Sequence, residues 1–289
     1  MQKISVEVLE KMVEKKVTSK EIDFLLYIAR FQDDYGRIQG VYYRELMEER
    51  EMSHQAFYDC KKTLEEKGLI SCQKLNYYDW DITIKNNSFK GKENFGRGYV
   101  SLHNDMIYSE EFRSMRAGAK LMALWLLREW KIYQSKTGSD SYQIGKDKLL
   151  EKFRVLGVTK RKIRSYLSEL APFLSVYLEG GKKYYITFKK RAVMRDMRAE
   201  SENDEYRMHN ISVSYRRNRI AEVPVHTTKE LLDILKQHNK KIEQQLTFDF
   251  SMIIRKSLEI INQKVKDKHR WRREVSVPLI HKVLVQEFA

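Results

Sequence analysis

The stretch 53–72 places the strongest constraint on how this chain folds. Ser53 is a favoured N-cap residue, and residues 54–67 carry apolar side chains at spacings of three and four, as expected for a helix with one buried face. Gly68 stands where a helix ends in the left-handed conformation that glycine adopts at low cost. Residues 69–72 are typical of a strand. The pattern therefore predicts a capped amphipathic helix that leads directly into a strand.

The surrounding residues predict further elements in a definite order. Leu46 and Met47 are the residues of the second predicted helix that we expect to face the core. The predicted elements are a helix after the cap residue Thr18, a strand at 38–42, helices at 43–50 and 54–67, and strands at 69–72 and 80–84 with a hairpin tip at 76–79.

Helix, strand, helix, turn, helix and a two-stranded wing is the element order of a winged helix-turn-helix domain. The run Met52-Ser53-x-x-x-Phe57-Tyr58-x5-Leu64-x3-Gly68-Leu69-Ile70 resembles the recognition helix and wing of bacterial winged-helix DNA-binding proteins. The resemblance covers about a quarter of the chain. It implies that helix 54–67 is a recognition helix for duplex DNA.

The middle of the chain repeats this plan. Thr159 is a predicted N-cap, Gly157 lies in the preceding turn, and the pair at 180–181 suits a tight hairpin tip. The predicted elements are a lead-in at 109–114, helices at 116–133, 146–154 and 160–170, and strands at 142–144, 175–178 and 184–188. The expected fold class is mainly α with small β-wings (α+β): two winged helix-turn-helix domains at 1–95 and 96–200, and a helical C-terminal region at 201–289.

Charge is distributed unequally among these three parts. The chain of 289 residues has a formal net charge of +15, which implies an anionic partner and favours nucleic acid. Residues 1–95 carry 16 basic and 17 acidic residues, residues 96–200 carry 22 and 11, and residues 201–289 carry 17 and 12. The second domain therefore holds most of the excess. The stretches 86–98 and 200–205 are interpreted as polar connectors.

The candidate DNA-binding residues lie on the two predicted recognition helices and the second wing. Four cations in the first turn and a half of helix 160–170 oppose the helix macrodipole by about 0.3–1 kcal/mol each, which is easier to explain if phosphates lie against them. The alternatives are a solvated helix in the first domain and a solubilising basic face in the second. The candidates are Ser53, His54, Gln55, Tyr58, Lys61, Lys62, Thr159, Lys160, Arg161, Lys162, Arg164, Ser165, Lys182 and Lys183.

The C-terminal third has two predicted helices. Thr228 is expected to cap the first, which runs to residue 246, and residues 251–268 form the second. Their apolar seams fit either a homodimer through residues 228–268 or an intramolecular core. The basic run 264–273 is a second candidate phosphate-binding patch, and the apolar tail 277–288 is expected to dock on the body.

The sequence does not predict catalysis. It contains no P-loop, dinucleotide fingerprint or zinc-protease motif, and its seven histidines never cluster at metal-ligand spacing. Cys60 is expected to be a buried structural thiol. We therefore expect a non-enzymatic protein that needs no cofactor or metal, has no membrane partner, and lies in the cytoplasm in association with the nucleoid.

The function expected from the sequence is sequence-specific binding of double-stranded DNA, most often in a transcriptional regulator. One alternative is a plasmid or phage replication initiator, because the segment 112–128 is similar to the "AKLLY-x-LL-x-R" helix of one initiator family. That match departs from the family pattern at Ala123, where the family carries tyrosine. A third alternative is a protein-interaction scaffold in which one domain holds DNA.

Overall fold

A computed structural model describes residues 3–74, 79–89, 98–193, 199–217, 225–244 and 277–288, with the single positions 259 and 263. The chain divides into two compact units, residues 1–199 and residues 200–289. The fold is mixed α+β, with helices and small antiparallel sheets. None of the helices in the described ranges combines the length and the apolar character needed to cross a bilayer.

The first unit contains two successive sets of elements. The first module is defined here as β1 (Lys3–Ser5), α1 (Val6–Glu14), α2 (Ser19–Ile28), β2 (Arg37–Tyr42), α3 (Tyr43–Arg50), α4 (His54–Glu66), β3 (Ile70–Lys74) and β4 (Asp79–Ile84). The second module is β5 (Tyr99–Ser101), α5 (Asn104–Ile107), α6 (Glu110–Ser114), α7 (Ala117–Thr137), β6 (Tyr142–Gly145), α8 (Lys146–Lys152), α9 (Lys160–Glu169), β7 (Leu174–Glu179), β8 (Lys183–Phe188) and α10 (Lys190–Val193).

The two modules have the same sheet topology. In each, the last strand lies between the other two, in the orders β2-β4-β3 and β6-β8-β7, and all pairs are antiparallel. Ile82 of β4 is paired with both Ile38 and Cys72, and Ile186 of β8 with both Tyr142 and Val176. The predicted order of helix, strand, helix, helix and hairpin is therefore present twice.

Local capping explains where the main helices begin. Thr18 forms a capping box with Glu21 at the start of α2, while the hydroxyls of Ser53 and Thr159 accept hydrogen bonds from the amides of the third residue of α4 and of α9. Each bond satisfies an amide that has no partner within its own helix. The predicted caps of these three helices are confirmed.

The predicted connector 86–98 is partly wrong, because its beginning belongs to the core. Asn87 is buried; its Oδ1 accepts a hydrogen bond from the amide of Ser5 at 2.7 Å, and its Nδ2 donates to Oε1 of Gln32 at 2.5 Å. Phe89 is buried as well. The remainder, residues 90–97, lies outside the described residues. A sequence that reads as polar and flexible thus supplies a buried amide that joins distant segments.

Three further predictions are corrected by the structure. Met47 is 41% exposed, because α3 is only two turns long and turns Leu46, not both residues, into the core. The predicted connector 200–205 is helical and belongs to α11 (Ala199–Arg217). Thr228 does not cap a helix, since α12 (Val225–Gln244) begins three residues earlier and Thr228 is buried within it.

The second unit contains α12, α13 (Val277–Phe288) and all but the first residue of α11. α12 packs against α13, and Leu231 of the predicted seam is buried. Most of the predicted helix 251–268 and the whole basic run 264–273 lie outside the described residues.

The two modules share one core, which is built around α2 and α7. These helices occupy equivalent places in the two modules and pack directly against each other, while α4 packs on α2 and α9 packs on α7. A two-stranded sheet also joins the modules, because β1 pairs with β5 from Lys3 opposite Ser101 to Ser5 opposite Tyr99. Neither β1 nor β5 was predicted.

Helix α9 approaches α7 closely at Gly118. A Cβ at this position would lie 2.5 Å from ring carbons of Tyr166, and the Tyr166 side chain is buried. Glycine is therefore required by the space available, although it lowers the helix propensity of the first turn of α7.

We expect Gly118→Ala to lower the free energy of unfolding by about 1–3 kcal/mol, because the added methyl group forces Tyr166 out of its packed position. Thermal unfolding followed by circular dichroism measures the change. Gly145→Ala is the matched control, since Gly145 has an ordinary φ of −60° and a Cβ there would meet nothing within 4 Å. Equal stability of the two variants would contradict this account of the α7–α9 contact.

Candidate nucleic-acid interface

The first turn and a half of α9 presents a compact cationic surface. Lys160, Arg161, Lys162 and Arg164 are all exposed, while the opposite face buries Ile163, Tyr166 and Leu167. The amphipathic spacing of the sequence produces this division, because the three buried residues recur at intervals of three and one along a 3.6-residue period. We call these four cations the α9 cationic surface.

The α9 cationic surface is not neutralised by carboxylates of the described part of the chain. No described Asp or Glu forms an ion pair with any of its four side chains, and the first turn of α9 contains no acidic residue. Four like charges at a helix N-terminus repel each other and oppose the macrodipole. The arrangement favours an anion as a partner of this surface.

Ser165 and Thr159 already have partners within the protein. The hydroxyl oxygen of Ser165 accepts a hydrogen bond from Nη2 of Arg116 at 2.6 Å, and Arg116 also forms an ion pair with Glu169. The Thr159 hydroxyl accepts from the amide of Lys162 at 3.3 Å. Both residues thus hold α9 in position, whether or not they also contact a ligand.

The β7–β8 hairpin brings two more predicted cations beside α8. Gly180 and Gly181 form its tip with φ values of 53° and 70°, which an ordinary side chain would oppose. Lys182 is exposed, and its carbonyl accepts a hydrogen bond from the amide of Lys146 at the start of α8. Lys183 is half-buried and donates to Oε1 of Gln143 at 2.7 Å, so it is less accessible than Lys182.

In the first module, the exposed face of α4 is mixed in charge. His54, Gln55 and Lys62 are exposed and Tyr58 is half-buried. Nε2 of Gln55 donates to Oδ1 of Asp59 at 2.8 Å, and Nζ of Lys62 lies 4.0 Å from the carboxylate of Glu66. These contacts are between exposed groups, so their exchange for a ligand costs little.

Lys61 was predicted to be exposed, and the structure contradicts this. Lys61 is buried, and its ammonium lies 3.8 Å from the centre of the Trp80 ring. The helical period places Lys61 beside Phe57 and Leu64, on the side that faces β4. The cation–π contact stabilises the packing of α4 against the β3–β4 hairpin. Lys61 therefore has a structural role and is not part of the candidate interface.

An aromatic cluster lies at the N-terminal end of α4. The His54 ring centre is 4.6 Å from that of Tyr43 and 4.8 Å from that of Tyr58. Ser53 caps the helix here by accepting a hydrogen bond from the amide of Ala56 at 3.2 Å. The edge-to-face contact with Tyr43 orients the imidazole of His54 at the exposed end of the helix.

Helix α3, just before this end of α4, is acidic. Glu45, Glu48 and Glu49 lie on it and Glu51 follows it. Glu49 is paired with Arg30 at 2.9 Å and Glu51 with Arg113 at 3.4 Å. The first module thus has carboxylates beside its candidate helix. The second module differs, because its candidate helix carries cations that form no ion pair with a described carboxylate.

Sequence reasoning missed two cations beside α4. Lys20 and Arg113 line a cleft of about 520 Å³ where the N-terminal end of α4 meets α2 and α6, and the carboxylates of Asp23, Glu51 and Glu110 line it as well. Lys20 is exposed and Arg113 is half-buried. No local pattern could have identified them, since Lys20 lies on α2 and Arg113 on α6, and both helices are distant from α4 in sequence.

The two cysteines are not suited to nucleophilic chemistry. Burial raises the pKa of Cys60 to about 11 and that of Cys72 to about 12, so both are neutral thiols near pH 7. Cys60 is buried on α4, as predicted. Among the described residues, no three His, Cys, Asp or Glu side chains come together in a group that could hold a metal ion.

In comparisons with known proteins, no family model, no curated protein and no solved structure matched this chain.

Proposed function

We propose that this chain is a sequence-specific double-stranded DNA-binding protein with two winged helix-turn-helix domains, in which α4 and α9 are the recognition helices and the β3–β4 and β7–β8 hairpins are the wings. The repeated element order and the equivalent sheet topologies support this proposal. In such domains the N-terminal part of the recognition helix enters the major groove. The α9 cationic surface lies at that end of its helix.

The single observation that carries the proposal is the α9 cationic surface. Its four cations are exposed and form no ion pair with a described carboxylate, in a position that a helix disfavours. Duplex DNA supplies a regular row of phosphates that would relieve this repulsion and release counterions. A surface whose only task is solubility has no need to place its charges at an unfavourable helix end.

The two modules divide the work of binding unequally. The α9 cationic surface and Lys182 supply most of the phosphate contacts and so most of the affinity. Gln55 can address the edge of an adenine once its amide leaves Asp59, and His54 and Tyr58 lie beside it on α4. The first module therefore contributes mainly to the choice of sequence.

The biological role that we propose is transcriptional regulation in the cytoplasm, at the nucleoid, without catalysis or a cofactor. A plasmid or phage replication initiator would use the same binding chemistry. The acidic α3 beside α4 favours the scaffold alternative for the first module, in which it holds a protein partner while the second module holds DNA. A homodimer through residues 228–268 remains a prediction.

We expect the combined variant Lys160→Glu, Arg161→Glu and Arg164→Glu to abolish duplex binding, because it replaces phosphate attraction with repulsion. Milder neutralisation to Gln should lower the slope of log Kd against log salt concentration by about one for each phosphate that the protein no longer neutralises. Fluorescence anisotropy with a labelled duplex at several salt concentrations measures both effects.

The matched control reverses three exposed lysines elsewhere in the same unit, Lys15, Lys85 and Lys136. It changes the net charge by the same amount and should lower affinity only modestly. If both triple variants abolish binding to the same degree, net charge and not the α9 cationic surface is responsible, and the assignment of α9 fails.

We expect the double variant Gln55→Ala and Tyr58→Ala to change the preferred DNA sequence while reducing bulk affinity by less than about tenfold, since base contacts specify and phosphate contacts bind. Selection from a pool of random duplexes, followed by sequencing, measures the preference. Gln39→Ala, which removes an exposed amide from β2, is the control. An unchanged preferred site would assign the first module to the scaffold alternative.

Mapping of bound sites across the genome and its plasmids separates the two biological roles. A regulator is expected to occupy several promoter regions, because its recognition helices read a recurring site. Occupancy confined to one replication origin would contradict the regulatory role and favour the initiator.

A further inference from the structure

Residues 113–120, here called the coupler, contact the first module although they belong to the second. Arg113 forms an ion pair with Glu51, which lies two residues before the Ser53 cap of α4, at 3.4 Å. The hydroxyl of Ser19, at the start of α2, donates to the carbonyl of Met115 at 2.9 Å. The coupler thus reaches both α2 and the N-terminal end of α4 in the first module.

The strongest of these contacts is a buried ion pair. Nζ of Lys120 lies 2.6 Å and 2.7 Å from the two carboxylate oxygens of Asp23, and the Lys120 side chain is fully buried. Breaking such a pair leaves an uncompensated charge in the interior, which is strongly unfavourable. Sliding or rotation of α7 against α2 is therefore opposed, because it would separate these two charges.

The same coupler holds the recognition helix of the second module. Arg116 donates to Ser165 at 2.6 Å, pairs with Glu169, and lies over the ring of Tyr166 with its guanidinium carbon 5.0 Å from the ring centre. Gly118 gives Tyr166 its place against α7. One short segment is thus attached both to α9 and to α2 and the α3–α4 turn.

A second attachment lies elsewhere on the unit. The β1–β5 pairing, extended by a hydrogen bond of 3.1 Å from the amide of Val6 to the carbonyl of Gly98, joins the beginnings of the two modules. Asn87 fastens β1 to the end of the first module. Two separate attachments restrict relative rotation far more than a single covalent connection does.

We propose that the coupler, through the positioning residues Arg116 and Lys120, fixes the spacing and orientation of α4 and α9, so that this protein reads a two-part duplex site of one length only. This inference rests on the proposed function. Its ligand is a duplex with two subsites at a single separation. Tandem readers joined by a flexible linker differ, because their linker absorbs changes in separation.

The test begins with the site selected from a random duplex pool by the full-length protein. Insertions of 2, 5 and 10 base pairs between its two parts are then compared by anisotropy. We expect each insertion to weaken wild-type binding by roughly tenfold, since only one module can engage at a time and the second module supplies most of the affinity. The 10-base-pair insertion keeps the two subsites on the same face of the duplex, but it moves them about 34 Å further apart.

Arg116→Gln tests the coupler itself, because Arg116 is 45% exposed on its side chain and its removal leaves no buried charge. We expect this variant to bind the original site and to show a spacing penalty that falls from roughly tenfold to about threefold, whereas a uniform weakening of phosphate attraction would leave the penalty unchanged. Arg37→Gln is the control, because Arg37 forms an exposed ion pair with Asp33 within the first module at 2.8 Å. Thermal unfolding verifies that both variants fold.

The outcomes are distinct. Duplex binding by the wild type with equal affinity for all spacings would overturn the fixed geometry and leave the proposed function intact. A spacing penalty that is identical in the wild type, Arg116→Gln and Arg37→Gln would overturn the role of Arg116. Failure of the wild type to bind any duplex would overturn the proposed function, and the inference with it.

Discussion

The ion pair between Lys120 and Asp23 is the constraint on which the arrangement of the first unit depends. A fully buried ammonium is tolerated only beside a compensating charge. Helix α7 must therefore lie on α2 in the position that places Lys120 next to Asp23. Helix α4 packs on α2 and α9 packs on α7. The ion pair therefore fixes the two helices on which both candidate recognition helices pack, and the surrounding hydrophobic core encloses the α2–α7 contact.

The distribution of paired and unpaired charge separates structure from binding within this unit. Lys120, Arg116 and Lys67 each hold a carboxylate that belongs to another element, namely Asp23, Glu169 and Glu21. The α9 cationic surface has no such partner among the described residues. These three cations fix the fold and are neutralised inside the molecule, whereas four cations without a described carboxylate partner are gathered at the N-terminal end of α9. This contrast, more than the net charge of the chain, supports an anionic ligand at α9.

Much of the first unit could be predicted because its signals are local. Caps at Ser53 and Thr159, a left-handed glycine at Gly68 and the helical period set the bounds of the elements within a few residues. Non-local contacts could not be predicted in this way. The β1–β5 pairing joins the beginnings of the two modules, which are nearly 100 residues apart in sequence, and Asn87 is a polar residue that is buried through its bonds to Ser5 and Gln32. Local signals also predicted only part of the candidate site. The helical period correctly placed the four cations of α9 on the exposed face of that helix. The prediction for Lys61 was wrong, because its partner Trp80 lies on another element.

In the proposed function, the fixed spacing between α4 and α9 gives a role to the low intrinsic affinity of the first module for DNA. Alone, α4 presents few exposed cations, and α3 beside it carries three glutamates against two arginines. Such a module would gain little from non-specific DNA. In the proposed mode of binding, the second module engages the duplex through α9 and the coupler holds α4 at one place on it, so that the contacts of α4 form only if the bases there match Gln55 and its neighbours. Under the proposed function, the low affinity of the first module for unmatched DNA acts against wrong sites, and the unequal charges of the two modules become a means of discrimination.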